Sequence, residues 1–432
     1  LAGGCVRDLL LGRTPSDYDV ATSATPDAVL ALFSRCFAVG AHFGVVLVAG
    51  ESGDDVTEVA TFRNDGAYSD GRHPDAVRYT LSAEEDVQRR DFTINGLLLP
   101  LSGIAHPEQK EKIRAAVVDH VGGLADLDAG IVRAIGNPAA RFEEDHLRML
   151  RAVRFAARFG FVLDVATAAA MQKLAPRISL VSRERVRDEL TKMLVEGHAR
   201  RAFELLDETG LLAEVLPEIA RMRGVQQPPQ YHPEGDVWAH TLLLLSQLPV
   251  GASMTLAWAA LLHDVGKPAT FRVAERIRFD GHAEVGTAIA TALCARFRFS
   301  NDETRQIAGL VENHMRFMDV QHMKESTLKR FFRLERFDEH LALHRMDCLA
   351  GSGHLDNWTY ASERWQALPE EAVRPRPLVT GRELIAAGYR PGPRFKPMLE
   401  AAEDAQLEGS LHSAEEALAL IAARFGPPPQ GV

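Results

Sequence analysis

Four cysteines in 432 residues is a sparse set. Cys5, Cys36, Cys294 and Cys348 stand far apart and form no CxxC pair. That spacing excludes a zinc ribbon and speaks against a disulfide scaffold, so a reducing, cytoplasmic compartment is expected. No stretch reaches the roughly 18 consecutive apolar residues of a membrane-spanning helix, and no membrane partner is expected. Internal repeats are absent, and low complexity is confined to the terminal PPPQ. The chain opens LAGG, with neither Met nor a charged leader region, which predicts a trimmed N-terminus without a signal peptide. Positive charge is in deficit: 49 Lys and Arg against 59 Asp and Glu leave a net charge of -10. A general nucleic-acid binder needs cations for its phosphate contacts, so the balance counts against that class while leaving room for local basic faces.

What is present is ordinary globular sequence. Hydrophobic residues make up 46% and charged residues 25%, which excludes a disordered chain. The length predicts two to four domains. Residues 1–135 mix Gly-punctuated apolar runs with short helices. FAVGAHFGVVLVAG (37–50) and VTEVATF (56–62) read as strands, and TPDAVLALF (25–33) as a helix with Thr25 as N-cap and Pro26 at its first position. From about 136 the pattern turns helical. GNPAARFEEDHLRMLRAVRFAARFGF reads as one helical segment with Leu147, Leu150, Val153 and Phe155 on its apolar stripe. RGVQQPPQYHPEGD (223–236) is a Pro/Gly break and marks a boundary. Residues 237–350 are helical and rich in histidine, and a second break, LPEEAVRPRPLVTG (368–381), leads into a short helical tail.

Two constellations carry chemistry. GGCVRDLLLG (3–12) places Gly3 and Gly4 before a helix, where bare backbone N–H groups approach a phosphate. In SDYDVAT (16–22), Asp17 and Asp19 are two apart in an expected strand and project from one face. Two hard oxygen ligands beside a phosphate cradle suit Mg²⁺ shared with a nucleoside triphosphate. Glu58 is a candidate third carboxylate, with Asp54 and Asp55 as competitors.

These motifs are followed in order by RRDFTIN (89–95), GGLADL (122–127), EDHLRMLRAVRFAAR (144–158) and RERVRDELTKML (183–194). The set resembles the class II tRNA nucleotidyltransferase and bacterial poly(A) polymerase family of the polymerase-β-like superfamily. The resemblance implies two Mg²⁺ ions on Asp17 and Asp19, and a triphosphate site shaped by Gly3, Gly4, Arg7 and Asp8. It also implies that Arg89, Arg90, Asp91 and Asn95 hold triphosphate and ribose. The family commonly has Asp-Pro before the glycines of its third motif, whereas Asp119 is followed here by His120.

Asp145 and Arg148, three apart, are read as neighbours on one helix face. Cytosine and adenine both present an amine donor beside a ring-nitrogen acceptor, which an Asp–Arg pair matches. Uracil and guanine present the reverse, and each unpaired group costs about 1–3 kcal/mol. The resemblance gives CTP and ATP selection to Glu144, Asp145 and Arg148, and the stripe Arg151, Arg154, Arg158 is expected to meet triphosphate or RNA. The polar loop FRNDGAYSDGRHPDAVRYT (62–80) resembles the family's loop for switching from C to A addition. Poly(A) polymerases typically carry a basic signature around GAHFG (40–44) and a basic tail, and neither is seen here.

In the second half, WAHT, LLHDVGKP, DGHAEVG, VENH and RMDCLA supply His240, His263, Asp264, His282, His314 and Asp347. Imidazole and carboxylate together suit a divalent metal. The run resembles the HD phosphohydrolase domain. That resemblance makes His240, His263, Asp264 and Asp347 primary ligands of a transition metal or Mg²⁺, with His282 and His314 as further ligands or phosphate contacts.

The expected architecture is α+β and multidomain. A polymerase-β-like head (1–135), built on a small mixed sheet with helices, precedes an all-helical neck (136–225), an HD body (226–365) and a helical, tRNA-binding tail (366–432). The expected function is template-free addition of CCA to tRNA from CTP and ATP, with a second phosphohydrolase site acting as phosphatase or 2′,3′-cyclic phosphodiesterase. Partial CC or A addition, or poly(A) synthesis, are the alternatives within the family. An HD hydrolase with a merely nucleotide-binding head is the alternative outside it.

Overall fold

A computed structural model describes residues 1–38, 44–50, 56–66, 76–104, 110–230 and 232–429. It divides into two compact units, the first being residues 1–221 with 248–252 and 296–298, the second the remainder.

The first unit starts with α1 (Gly4–Leu10), β1 (Val20–Thr22) and α2 (Pro26–Leu32), followed by β2 (Cys36–Ala38), β3 (Val45–Ala49) and β4 (Val56–Thr61). The sheet order is β1-β4-β3-β2. β1 pairs with β4 in parallel and the other pairs are antiparallel, which makes a small mixed sheet. Val29 of α2 packs on Val46 and Val59 beneath it. Thr25 caps α2 through its hydroxyl, which accepts from the Ala28 amide, with Pro26 at the first position as expected. The run 37–50 is not one strand. It is parts of β2 and β3, and residues 39–43, including most of GAHFG, lie outside the described residues. The long polar loop is flanked by β5 (Arg63–Asp65) and β6 (Val77–Tyr79), an antiparallel pair, and its residues 67–75 lie outside the described set.

After α3 (Ala83–Gln88) and α4 (Lys110–Ala116), α5 (Gly123–Ala129) opens on the GGLADL motif. Gly122 takes the left-handed φ of 78°, and a Cβ on Gly123 would stand 2.2 Å from the Thr93 carbonyl oxygen. The Asp119 carboxylate accepts from the Val121, Gly123 and Leu124 amides. His120 in place of proline therefore leaves this turn intact.

The segment from 137 is two helices and not one: α6 (Pro138–Glu144) and α7 (Leu147–Phe159). Asp145 breaks them with φ −150° and ψ 104°, and its carboxylate accepts from the Leu147 amide. Asp competes in this way for backbone donors that a continuous helix would use. α7 buries the expected stripe of Leu147, Leu150, Val153 and Phe155 and stops at Gly160. It packs against α9 (Arg183–Val195) and α10 (Ala199–Glu208), which follow α8 (Val165–Leu174). Two short helices, α11 (Leu211–Val215) and α12 (Pro217–Ala220), close the unit.

The second unit is helical apart from one short hairpin. α13 (Val237–Leu245), α17 (Asn301–Asn313) and α19 (Phe337–Ala350) pack on α14 (Met254–Leu262), of which Thr255 to Leu262 are all buried. α15 (Lys267–Thr270) leads through the hairpin of β7 (Arg272–Val273) and β8 (Ile277–Arg278) to α16 (His282–Arg296). α18 (Glu325–Phe332) and a run of Phe side chains form a second core, and the C-terminal helices share a third around Leu384, Met398 and Ile421.

Gly123→Ala forces a methyl group into the Thr93 carbonyl. It should destabilise the first unit by about 1–3 kcal/mol, as overpacking does. Chemical denaturation followed by far-UV circular dichroism checks this, and an unchanged midpoint would show that the contact relaxes freely.

Two candidate metal sites

In the first unit, Gly3 precedes α1 with φ 74°, a left-handed conformation that glycine enters without a side-chain clash. A Cβ there would also stand 2.8 Å from the Arg90 guanidinium. The Ala2 amide donates to the Asp19 carbonyl and the Gly3 amide to the Leu97 carbonyl. Asp17 and Asp19 are not inside a strand, contrary to the sequence expectation. They occupy the irregular segment ahead of β1, which begins at Val20, and the Asp19 carbonyl, on the side away from β4, accepts from Ala2.

β1 lies parallel to β4 with Val20 opposite Val59. One step upstream, the same register brings Asp19 level with Glu58. Burial and the neighbouring Asp17 hold the Asp19 carboxyl above its ordinary range, with Arg90 opposing. Burial, Asp19 and Asp17 raise Glu58 likewise, with Arg63 opposing. Hard oxygen donors that disfavour one another's charge are a donor set suited to Mg²⁺. Asp54 and Asp55 lie outside the described residues.

Behind this cluster lies a buried polar frame. Arg7 donates to Asp8 Oδ1 at 2.8 Å and to the Asn95 side-chain oxygen, with its guanidinium 4.6 Å from the Phe159 ring centroid. Asn95 Nδ2 donates to Asp91 Oδ1 at 3.0 Å, and Arg151 Nε to Asp91 Oδ2 at 2.9 Å. Burial opposes ionisation of Asp91, yet the Arg151 charge and the Asn95 hydrogen bond outweigh it and hold its pKa down to about 2. Arg7, Asp8, Asp91 and Asn95 thus spend their polar atoms largely on one another. Arg89 and Arg90 pair with Asp86 while keeping 19% exposure, which gives them the easier access to a ligand.

The base-reading pair is arranged differently from the sequence reading. Asp145 and Arg148 do not share a helix face, because Asp145 ends α6 in an extended conformation. Arg148 Nη1 donates to Glu144 Oε2 at 2.6 Å and its Nη2 to the Arg89 carbonyl at 3.3 Å. Asp145 instead accepts two bonds from Arg185 of α9, at 3.2 and 2.7 Å. The basic stripe is also corrected in part. Arg154 is buried against Glu189 at 2.7 Å, and both it and Arg158 reach Glu196. These two guanidiniums tie α7 to α9 and its C-terminal cap.

In the second unit, three imidazoles place Nδ1 against backbone carbonyls: His263 on Ala260, His282 on Phe279 and His314 on Val311. Those contacts place the proton on Nδ1 and turn the bare Nε2 inward, as a metal ligand requires. Burial keeps His282 below its ordinary pKa and His314 down at about 4, so both rings stay neutral at pH 7. His263 Nε2 is buried without a hydrogen bond, 3.1 Å from Asp264 Oδ2. Among the described residues the candidate donors fall into three sets, His240 with His263 and Asp347, Asp264 with His282 and His314, and His232 with Glu234 and His240. Asp264 therefore sits with the two histidines that the sequence reading set apart from it. Burial opposes charge on His240, but hydrogen bonds to Asp347 at 3.0 Å and Glu234 at 2.7 Å hold its pKa up to about 9. A proton there stands where a cation fits. The cluster opens on a cavity of about 470 Å³ with Lys267, Arg276, Arg278 and Phe279 in its wall.

Sequence reading missed Arg185, Lys267, His232 and Glu234. Lys267 Nζ lies 2.7 Å from Asp264 Oδ2 and donates to Gln227 at 2.7 Å. His232 and Glu234 sit in a Pro/Gly stretch that reads as a linker. A histidine and a glutamate just ahead of the WAHT helix were the available signal.

Family models match in three places: a poly A polymerase head domain over residues 1–133, a probable RNA and SrmB-binding site of polymerase A over 160–222, and an HD domain over 237–350. The chain is 35% identical over 401 residues to a multifunctional CCA protein of Nitrosococcus oceani, covering 90% of this chain and 93% of that one. It is 33% identical to a CC-adding tRNA nucleotidyltransferase of Thermus thermophilus, covering 97% and 92%. A CCA-adding enzyme of Geobacillus thermodenitrificans is 42% identical over 218 residues, so the match spans about half the length of that relative. The crystal structure of the Bacillus stearothermophilus CCA-adding enzyme with CTP superposes with a TM-score of 0.71 at 27% identity, covering 98% of this chain and 92% of that one. Among the described residues no helix is long and apolar enough to cross a membrane.

The Asp91 frame predicts acid sensitivity. Its pKa is depressed in the folded state, so its stabilisation is complete above the unfolded value near 4 and is lost as pH falls toward 2. That contribution is roughly 2 kcal/mol. Between pH 5 and 2 the wild-type chain should therefore lose about 2 kcal/mol more unfolding free energy than Asp91→Asn. Equal pH slopes for the two proteins would remove Asp91 from this role.

Proposed function

Since the chain belongs to the family of CCA-adding tRNA nucleotidyltransferases, we propose that it adds the terminal CCA to tRNA from CTP and ATP without a nucleic-acid template. The observation that carries this reading is the convergence of Asp19 and Glu58 across the β1–β4 register beside the Gly3 turn and Arg90. Asp17 and Asp19, with Glu58 as third carboxylate, would hold Mg²⁺, which supplies charge neutralisation at the triphosphate. Gly3 and Gly4 leave space for the phosphates, and Arg89 and Arg90 neutralise them. The frame of Arg7, Asp8, Asp91, Asn95 and Arg151 keeps these groups in place.

Base choice falls to Asp145 and Arg148, steadied by Arg185 and Glu144. A carboxylate held by Arg185 accepts the exocyclic amine of C or A, and the Arg148 guanidinium donates to the ring nitrogen. In the second unit, the six histidine and aspartate ligands would bind a divalent metal and hydrolyse a phosphate ester, with Lys267 beside Asp264. We assign 1–135 as head, 136–225 as neck, 226–365 as HD body and 366–432 as a tRNA-binding tail.

Incubating tRNA lacking its 3′ end with labelled CTP or ATP and Mg²⁺, with products resolved at single nucleotides, tests the reading. CCA is expected, whereas stopping after CC, adding A alone or extending a poly(A) tract would each replace it. Asp17→Ala or Asp19→Ala should lower transfer by roughly 10³-fold or more while tRNA binding persists. Arg148→Ala and Asp145→Ala should each relax discrimination against U and G by roughly ten- to hundredfold. Four-way triphosphate competition reads this, and unchanged choice in both variants would demote the pair. His263→Ala with Asp264→Ala should remove metal-dependent phosphohydrolase activity and leave CCA addition intact.

A further inference from the structure

The segment HPEGD (232–236) breaks the helical pattern yet lies against the metal-ligand cluster of the second unit. The Glu234 side chain is only 6% exposed. Its Oε1 accepts from His240 Nδ1 at 2.7 Å and from His232 Nδ1 at 2.8 Å. The two rings meet edge to face with centroids 5.0 Å apart. Asp236, two residues on, anchors the segment by accepting from the Ala239 amide at 2.8 Å and the Gly224 amide at 2.6 Å. Glu234 is therefore held at both the side chain and the adjoining backbone.

His240 differs from the other three imidazoles of the cluster. His263, His282 and His314 each give Nδ1 to a carbonyl three residues upstream, a bond that their own helix or turn provides. His240 gives it to a carboxylate six residues away that no regular element supplies. A carboxylate is the stronger acceptor, and it fixes both the tautomer and the plane of the ring.

We propose that Glu234 is the positioning residue of this metal centre. It holds the Nδ1–H of His240 so that Nε2 faces Asp347 and the ion, and with the same oxygen it holds His232 on the cavity wall. Glu234 does not itself ligate the metal. The inference rests on the reading of the second unit as an HD metal site.

Mn²⁺ titration of the metal-stripped whole chain by calorimetry tests it, read at the binding event that His263→Ala with Asp264→Ala removes. Glu234→Ala should weaken Mn²⁺ binding roughly ten- to hundredfold. Glu234→Gln, whose amide oxygen still accepts one Nδ1–H, should recover part of the loss, and His232→Ala should bind Mn²⁺ close to wild type. CCA addition by the first unit, unchanged in each variant, reports that the chain is folded. If Glu234→Ala misfolds, Glu234→Gln alone carries the test and should still bind several-fold more weakly. Wild-type affinity in both Glu234 variants overturns the inference and leaves the HD reading standing. Equal damage from His232→Ala also overturns it, since His232, Glu234 and His240 would then be a metal site of their own. A wild-type chain that binds no Mn²⁺ brings down the HD reading and this inference together.

Discussion

Carboxylates held close together are the constraint on which both sites depend. A buried carboxylate resists ionisation, and a second one nearby resists it further. In the first unit, Asp19 and Glu58 are raised by burial and by their acidic neighbours, with Arg90 and Arg63 as the opposing charges. In the second, the buried Asp264 and the partly exposed Asp347 are held as carboxylates by His263, His240 and Lys267. The first site is short of positive charge, and in the second a proton on His240 and the Lys267 ammonium stand in for it. Divalent cations relieve that shortage, and the fold's work is to keep the carboxylates together until they arrive.

How the fold does this differs between the units. In the head, a parallel strand pair sets the register, and the Ala2 amide holds the Asp19 carbonyl on the outer edge of β1. The carboxylates are thus placed by backbone bonds and not by side-chain packing. In the second unit helices place the ligands: His240 within α13, His263 and Asp264 just after α14, His282 at the start of α16, His314 just after α17 and Asp347 within α19. Orientation there comes from imidazole Nδ1 contacts to carbonyls, and from a tight approach at Gly266, where a Cβ would stand 2.1 Å from the His282 carbonyl oxygen.

The carboxylate pair Asp17 and Asp19, the glycine turns and the order of the histidines were legible in the sequence because each is a local pattern with a local cause. Thr25 with Pro26, and Gly160 at the end of α7, behaved as their side chains dictate. Three things were not legible. The helix over 137–160 is divided because Asp145 captures the Leu147 amide, an outcome that helical periodicity does not register. The partner of Asp145 lies forty residues away on α9 and that of Arg151 sixty residues upstream at Asp91, distances over which spacing says nothing. HPEGD reads as a linker because Pro and Gly punctuate it, although its histidine and glutamate face buried partners.

The division at Asp145 also changes how the proposed base selection would work. Side chains on one continuous helix face would pair with each other, and a nucleotide would have to break that pair before reading it. Here Asp145 and Arg148 are each satisfied by a different partner, Arg185 and Glu144. Neither is left as an unpaired buried charge when the site is empty, which is the costly state for such groups. Arg185 bonds to both Asp145 oxygens and Glu144 to one Arg148 nitrogen, so both side chains are fixed in direction. Carboxylate oxygens accept more than one bond, and a guanidinium carries five donors, so each retains capacity toward a base edge. A complementary edge adds bonds to an existing arrangement, whereas a mismatched edge meets donors and acceptors that cannot turn to suit it. On the proposed function, selection without a nucleic-acid template would follow from that rigidity, and the helix break at Asp145 would produce it.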